Sequence, residues 1–335
     1  MASMKRLLET LESFHEKKIL VIGDLMVDRY INGDATRLSS EAPVPIVDVK
    51  NEVFKLGGSS NVINNIISLG GQTIPLGIVG RDGNGEWLTD ELTEKGMDTS
   101  GLIIDPNRPT TTKTRVLVGQ HQLIRIDFEE RKEIGSKEED RILEILKSKT
   151  DEVDCILLVD YDKGVFTSNL LREISNIAKK KKKLTIASPK RNHFLEYRNI
   201  ALVKSNMMEA YNAANIGSID DKPINDVGRR LLGELGCGSL LITRGKDGMA
   251  LFEKTGDILN IPAFVREVYD VTGAGDVVTA VLALCISSNA TVKEASIISN
   301  AAAGVKVGKI GTATVNQIEL RKQLESFNHI FNNLV

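Results

Sequence analysis

Apolar runs alternate regularly with helical patterns from about residue 138 almost to the end of the chain. Each run is apolar at nearly every position, so a strand there would bury both faces, as strands of parallel sheets do. The predicted strands lie at 156–159, 184–187, 201–203 and 240–242, with further β segments between 250 and 261. The predicted helices lie at 142–146, 170–178, 227–235, about 274–288 and 292–307. This order predicts an α/β fold with a mostly parallel central sheet and helices on both faces.

The first part of the chain extends this pattern and inserts a second kind of strand into it. Strands at 19–22 and 74–79 and helices at 7–14, 62–69 and 86–95 fit the central sheet. Other segments alternate only in part, which is typical of antiparallel strands with one face in solvent. They lie at 30–34, 44–49, 52–56, 110–118 and 123–128, the last two joined as a hairpin at Gly119-Gln120. We expect a small β-sheet lid, built from about 30–57 and 110–128, on one unit that spans residues 1–335.

The charge balance and the cysteines argue against several classes of protein. The chain has 43 Lys and Arg residues against 45 Asp and Glu residues, so no basic field favours nucleic acid or a membrane surface. No apolar run approaches the roughly 20 residues of a membrane span, and the first residues lack a signal-peptide core. The three cysteines lie far apart without a Cys/His cluster, which argues against a disulfide framework or a zinc site. We therefore expect a cytoplasmic protein.

The segment Thr272-Gly273-Ala274-Gly275-Asp276 carries the strongest chemical signal. It lies where a loop turns into an apolar helix, and the unpaired N–H groups of a helix start bind anions such as phosphate. Asp276 beside these groups is a candidate general base. The same residues could also form a plain turn with an aspartate that caps the helix. With its neighbouring motifs, the segment predicts a phosphoryl-transfer site.

Two further segments have the chemistry to bind a metal ion or a nucleotide. Asn206 and Glu209 open a helix after a strand, where they could hold Mg²⁺ or form a capping box. Thr243, Gly245 and Gly248 form a turn between two β segments, which could meet nucleotide phosphates or be an ordinary hairpin turn. The residues alone leave both alternatives open at each place.

Small residues and polar strand ends indicate where a flat ligand and a polyol could bind. Asn300 and Gly304 belong to a small-residue face of the last long helix, suited to a flat ligand or to close packing. Acidic, amide and glycine residues at a strand end and a helix start could pair with sugar hydroxyls or lie in a solvated turn. The residues concerned are Asp24, Asp28, Gly57, Gly58 and Asn61.

Taken in chain order, these motifs resemble those of the PfkB (ribokinase-like) carbohydrate kinase family, over the stretch from about 18 to 325. The resembling elements are Gly57-Gly58, Asn206-x-x-Glu209, Thr243-x-Gly245-x-x-Gly248 and Thr272-Gly273-Ala274-Gly275-Asp276. The resemblance implies a ribokinase-like fold, the cofactors ATP and Mg²⁺, a small sugar or sugar phosphate as substrate, and a homodimer formed through the lid. It also implies that Asp276 is the base and that Asn206 and Glu209 hold the metal. The residues that it assigns to ATP are Asn206, Thr243, Gly245, Gly248, Thr272, Asn300 and Gly304.

Longer strings look like the kinase domain of ADP-heptose synthesis proteins. They lie at 23–30, 41–47, 122–130, 160–164 and 308–315. That group phosphorylates O1 of D-glycero-D-manno-heptose 7-phosphate, so the resemblance implies this acceptor. Cations would then meet the 7-phosphate, and the candidates are Lys113, Arg125, Lys163 and Lys190. Since no His-x-Gly-His string occurs in the sequence, we expect a kinase without a nucleotidyltransferase domain.

One departure from the family pattern bears on the acceptor. Ser188 stands before Pro189-Lys190, where the family usually has an aspartate. Two other functions therefore stay open: a PfkB kinase for a hexose, hexose phosphate or nucleoside, and a non-catalytic regulator that binds a sugar or a nucleotide. The intact loop up to Asp276 argues against a regulator, which has no need of a base.

Overall fold

The computed structural model describes residues 3–119, 121–217, 221–265, 267–309 and 311–327, which form two sheets with helices around the larger one. The strands in chain order are β1 (Lys18–Gly23), β2 (Leu25–Leu38), β3 (Pro45–Gly58), β4 (Gln72–Gly80), β5 (Leu102–Asp105), β6 (Thr112–Val118), β7 (His121–Phe128), β8 (Cys155–Val159), β9 (Leu184–Ser188), β10 (Leu202–Asn206), β11 (Ser239–Thr243), β12 (Met249–Glu253) and β13 (Ile258–Ile261). The helices are α1 (Met4–Glu12), α2 (Ser59–Ser68), α3 (Gly83–Glu94), α4 (Ser136–Lys149), α5 (Ser168–Lys181), α6 (Met207–Ala213), α7 (Ile224–Leu235), α8 (Ala274–Ser287), α9 (Val292–Val307) and α10 (Gln317–Ser326).

The larger sheet confirms the predicted α/β architecture. Its strand order is β13-β12-β11-β10-β9-β8-β1-β4-β5. All neighbours from β11 to β5 pair in parallel, while β12 and β13 run antiparallel at one edge. The sequence pattern missed β5, a strand of four residues, and α10, which buries only Leu320 and Leu324 among its ten residues. Both are peripheral elements whose apolar pattern is short.

Double-sided burial explains why the central strands are apolar throughout. In β1, Ile19 and Val21 belong to the core on one face of the sheet, and Leu20 and Ile22 belong to the core on the other face. Helix α8 is buried from Val277 to Ser287, so it is apolar on every side and lies inside the first of these cores. Within the described ranges, no helix combines the length and the apolar character needed to cross a membrane.

Strands β2, β3, β6 and β7 form the smaller sheet, which we call the lid. Its order is β3-β2-β6-β7. The prediction of a small second sheet is confirmed, but the predicted segments 44–49 and 52–56 are parts of the single strand β3. The lid also differs from the antiparallel prediction in one respect, because β2 and β6 pair in parallel. A parallel pair needs a long crossover connection, and here the chain passes through β4, α3 and β5 of the body before it returns to the lid.

Candidate active site

The predicted anion-binding loop lies at the start of α8. Gly273 is the N-cap with a φ of 79°, a left-handed conformation that suits glycine, and Asp276 lies in the first helical turn. The N–H of Ala274 already donates to the carbonyl of Val271 at 3.2 Å. The N–H groups of Gly273 and Gly275 have no protein partner among the described residues, so these two donors can meet an anion.

Two uncharged donors hold the carboxylate of Asp276. The side-chain amide of Asn61 donates to one oxygen at 2.6 Å, and the hydroxyl of Tyr161 donates to the other. Desolvation raises the pKa of Asp276, although both of these hydrogen bonds oppose the increase. A carboxylate with a raised pKa is a stronger base, and its fixed orientation suits the removal of a proton from a hydroxyl group.

Lys204 is a candidate site residue that the sequence reasoning missed. It lies on β10 and is 6% exposed, and its Nζ is 3.1 Å from the position that a Cβ would take on Gly275. Burial lowers the pKa of Lys204, while the charges of Glu209 and Asp276 oppose that change. An ammonium here faces the start of α8 and can meet the same anion as the loop. The available signal was a lysine that directly follows the apolar run 201–203 and stands two residues before Asn206.

The predicted metal corner has the geometry of a capping box. The Asn206 side chain accepts from the N–H of Glu209 at 2.8 Å, and the Glu209 carboxylate accepts from the N–H of Asn206 at 2.8 Å. The other oxygen of Glu209 pairs with Lys190. Desolvation would raise the pKa of Glu209, but Lys204 and Lys190 outweigh it and lower the pKa. An ionised carboxylate and an amide oxygen beside the cleft fit the hard-oxygen preference of Mg²⁺, best through water.

Two neighbouring cavities meet at the α8 loop. One is an apolar cavity of about 400 Å³, lined by all the residues predicted for the nucleotide except Asn206 and Thr272. The other is a polar cleft of about 490 Å³, lined by Asp276, Lys204 and Glu209 among others. Thr243, Gly245 and Gly275 line both. An apolar cavity next to a polar cleft fits a ligand with a flat base and charged phosphates.

Close packing accounts for the small residues on α9. A Cβ on Gly304 would collide with the carbonyl of Phe264, and Asn300 donates to the carbonyl of Pro262 at 2.6 Å. Gly248, with a φ of 77°, approaches the carbonyl of Ile261 in the same way. These contacts show close packing at α9, while Asn300, Gly304 and Gly248 also line the apolar cavity, so both alternatives of the sequence analysis remain compatible with the structure. Thr272 is exposed, and its N–H donates to Asp270 at 2.8 Å.

Asp24 binds the backbone of a neighbouring loop. Its carboxylate accepts from the N–H groups of Tyr161 at 2.6 Å and of Lys163 and Val165 at 3.3 Å each. Burial and the nearby charge of Asp160 raise the pKa of Asp24 to about 7. This arrangement favours a structural role over the predicted sugar contact, because it fixes the loop that carries Tyr161.

The other predicted polyol residues lie where the lid joins the body. Asp28 pairs with Arg115 at 2.6 Å, and a Cβ on Gly57 would lie 2.8 Å from an Asp28 oxygen. Gly58, with a φ of 52°, precedes α2, whose first turn carries Asn61. The structure therefore brings Asp28 and the glycine pair to the end of the lid that leads to Asn61.

The four predicted phosphate-binding cations separate into two groups. Lys163 of the body lies 2.7 Å from the Glu129 carboxylate, which Lys113 of the lid approaches at 3.6 Å. Arg125 lies on the neighbouring, exposed strand β7 and pairs with Asp127, which also forms an ion pair with Lys113. Lys190 is separate, beside Glu209 and with its Nζ 5.3 Å from the centre of the Tyr161 ring. The first group lies at the lid and the second at the polar cleft.

The fold and this site define a carbohydrate kinase. Residues 16–319 match the model of the pfkB family of carbohydrate kinases, and the chain belongs to this family. Phosphofructokinase-2 from Escherichia coli in complex with potassium superposes with a TM-score of 0.75 at 16% identity, covering 92% of this chain and 98% of that one. Arabidopsis thaliana ribokinase complexed with ribose and ATP superposes with a TM-score of 0.71 at 18% identity, covering 92% of this chain and 99% of that one. These likenesses confirm the ribokinase-like fold.

Closer sequence relatives carry the name "Bifunctional protein HldE". The one from Geobacter sulfurreducens is 42% identical over 310 residues, which are 92% of this chain and 63% of that protein. The one from Helicobacter hepaticus is 40% identical over 309 residues, 92% of this chain and 64% of that protein. The chain thus spans a little under two thirds of the length of these relatives.

Proposed function

We propose that the protein is an ATP- and Mg²⁺-dependent kinase that phosphorylates O1 of D-glycero-D-manno-heptose 7-phosphate to the 1,7-bisphosphate, a step of ADP-heptose synthesis. The observation that carries the phosphoryl-transfer part is Asp276, held by Asn61 and Tyr161 beside Lys204 and the N–H groups of Gly273 and Gly275. The acceptor is supported by the strings shared with ADP-heptose synthesis kinases and by the relatives named HldE. The buried free thiols suit the reducing cytoplasm where we expect the reaction to occur.

In this reaction, the sugar hydroxyl attacks the γ-phosphorus of ATP in line with the bond that breaks. The O1–phosphorus bond forms as the bond to the β–γ bridging oxygen breaks, and ADP leaves with that electron pair. Asp276 accepts the hydroxyl proton. The N–H groups of Gly273 and Gly275, with the Lys204 ammonium, stabilise the oxygens of the transferring group. Positioning and charge stabilisation of this kind supply most of the catalysis in phosphoryl transfer.

The nucleotide and metal assignments rest on the two cavities. Adenine would occupy the apolar cavity, and its phosphates would pass Thr243 and Gly245 towards the loop. The ATP in the related ribokinase supports this cofactor. Asn206 and Glu209 would hold Mg²⁺, which neutralises phosphate charge when bound.

The lid would bind the acceptor and its 7-phosphate. Strand residues two apart share a face, and one lid face carries Asp28, Lys113 and Arg115. Two contacts with the body support the assignment of this face to the acceptor, because Lys113 shares Glu129 with Lys163 and Lys55 approaches Gly311. The cations of this face supply the charge that a sugar phosphate requires.

The opposite lid face supports a homodimer. Ile124, Ile126 and Phe128 lie on it and are 54%, 42% and 57% exposed. A second copy of the chain is the partner that we propose for this face, because the lid is a small sheet with open edges and an uncovered apolar surface.

A panel of sugars and sugar phosphates assayed with ATP and Mg²⁺ tests the proposed function. We expect the highest kcat/KM with the heptose 7-phosphate and much weaker turnover of unphosphorylated heptose. Faster turnover of a hexose, hexose phosphate or nucleoside would favour another PfkB kinase. Binding without turnover of any acceptor would favour a regulator and reject the proposal.

A further inference from the structure

Lys306 is a buried lysine to which the proposed reaction assigns no role. It lies in the last turn of α9 and is 0% exposed. Lysine is almost never buried to this extent without a paired charge, because an ammonium loses its hydration. Such a residue requires an explanation from its surroundings.

The surroundings of Lys306 leave its charge incompletely compensated. Its Nζ donates to the carbonyl of Lys309 at a long 3.4 Å, although an ammonium has three donors. In the described part of the chain, its Nζ forms no ion pair within 4.0 Å. Burial lowers the pKa of Lys306, and the attraction of Asp270 and Asp276 opposes that change. The negative charge that reaches Lys306 therefore comes from the loop at the start of α8.

The Lys306 side chain also lies against that loop. Its Cε is 3.6 Å from the position that a Cβ would take on Gly273. The same stretch is anchored by Asp270, whose carboxylate accepts from the N–H groups of Thr272 and Gly311, each at 2.8 Å. Lys306 thus packs against the loop, and it lines neither of the two cavities that meet there.

We propose that Lys306 is a positioning residue that keeps a positive charge behind the Gly273–Gly275 loop and so favours the arrival of the negatively charged γ-phosphoryl group there. The inference rests on the proposed phosphoryl-transfer function. In low-dielectric surroundings a nearby cation attracts an anion more strongly than it would in water. The terminal phosphate of ATP would supply the charge that Lys306 lacks in the free protein.

Nucleotide titration of the whole chain with Mg²⁺ tests this inference without any sugar. The variants are Lys306→Met, which keeps the length of the side chain without its charge, and Lys309→Met as the matched control. Lys309 pairs with Glu319 at 2.6 Å, outside the loop. For Lys306→Met we expect the Kd of a non-hydrolysable ATP analogue to rise about tenfold, less than the loss from removing a direct donor. The Kd of ADP and both Kd values of Lys309→Met should stay within about twofold of wild type.

Steady-state kinetics with chemical rescue provide the second measurement. Lys306→Ala leaves room for a small cation, so ammonium chloride should raise the kcat of this variant several-fold. Tetramethylammonium chloride at the same ionic strength should leave its kcat unchanged. Unchanged binding of the ATP analogue by Lys306→Met would overturn the inference. An equal loss for ADP, or for Lys309→Met, would also overturn it, because Lys306 would then be only structural. Absence of turnover by the wild type would reject the proposed function, while the titrations would still decide the role of Lys306.

Discussion

At the scale of single residues, the state of Asp276 depends on the kind of partner it has. An arginine in direct contact would lower the pKa of a carboxylate by roughly 1–3 units and weaken it as a base. Asp276 is instead held by the amide of Asn61 and the hydroxyl of Tyr161, so its orientation is fixed while its pKa stays raised. The site thus combines a fixed geometry with a basic carboxylate.

Asp276→Asn tests whether this carboxylate is the base. The amide keeps the shape of the side chain but cannot accept the proton, so kcat should fall by roughly 10²–10⁴-fold. Isothermal titration should give an ATP affinity within about threefold of wild type, since the loop donors remain. Asp140→Asn, at an exposed position of α4, is the control and should keep full kcat. Wild-type turnover by Asp276→Asn would remove this residue from the mechanism.

Tyr161→Phe should change the pH dependence of the reaction. The Tyr161 hydroxyl donates to Asp276 and so lowers the pKa of that carboxylate. Because the base works only when ionised, activity is lost as the pH falls through its pKa. Removing the hydroxyl raises this pKa, so the acid limb of the profile of kcat/KM against pH should move to higher pH. An acid limb that stays in place, or moves to lower pH, would show that Tyr161 does not tune Asp276.

At the scale of elements, the loops that follow β8, β9 and β10 meet the start of α8 from one edge of the sheet. The sequence predicted these strands and helices because each has a clear apolar period, and it predicted the α8 loop from its glycines. It could not predict the partners of Asp276, since Asn61 and Tyr161 are 215 and 115 residues away in the chain. Only the strand order, in which β8 lies beside β1, brings these segments together.

The two groups of cations on these elements should have separable roles. Lys163 lies with Glu129 at the lid, and Lys190 lies with Glu209 at the polar cleft. Lys163→Met should raise the KM of the sugar phosphate roughly 10- to 100-fold and leave the KM of ATP nearly unchanged, because a charge-assisted hydrogen bond contributes about 1.5–3 kcal/mol. Lys190→Met should raise the KM of ATP and leave the KM of the sugar phosphate nearly unchanged.

Initial rates with each substrate varied in turn measure this difference. An unphosphorylated sugar is the control acceptor, and its KM should not respond to Lys163→Met. If both variants raised the KM of the sugar phosphate alone, Lys190 would belong with the acceptor, as the sequence analysis predicted.

At the scale of the whole molecule, the lid has two faces with different chemistry. One face meets the body through charged side chains, and the other packs Phe54 on Trp87 of α3 and leaves Ile124, Ile126 and Phe128 in solvent. The alternating pattern of 123–128 predicted a lid strand, yet it could not show which face turns inward. That assignment depends on the contact between Glu129 and Lys163, which no local period encodes.

Ile124→Asp tests the proposed homodimer. A charge at the centre of an apolar interface is costly to bury, so sedimentation velocity at micromolar concentration should show a shift from dimer to monomer. Ile318→Asp on α10 replaces an equally apolar side chain that is 67% exposed and should leave the wild-type species unchanged. A monomeric wild type would contradict the proposed assembly, and so would a dimeric Ile124→Asp.

The pleat of the lid has a consequence for how such a protein can change over generations. Neighbouring positions along β6 and β7 point to opposite faces, so under the proposed roles one replacement would affect either sugar binding or assembly and leave the other unchanged. Inserting or deleting one residue near the root of either strand would exchange the two faces beyond it. If both proposed roles hold, substitutions could alter the acceptor surface and the partner surface separately, whereas a change in the length of these strands would disturb both.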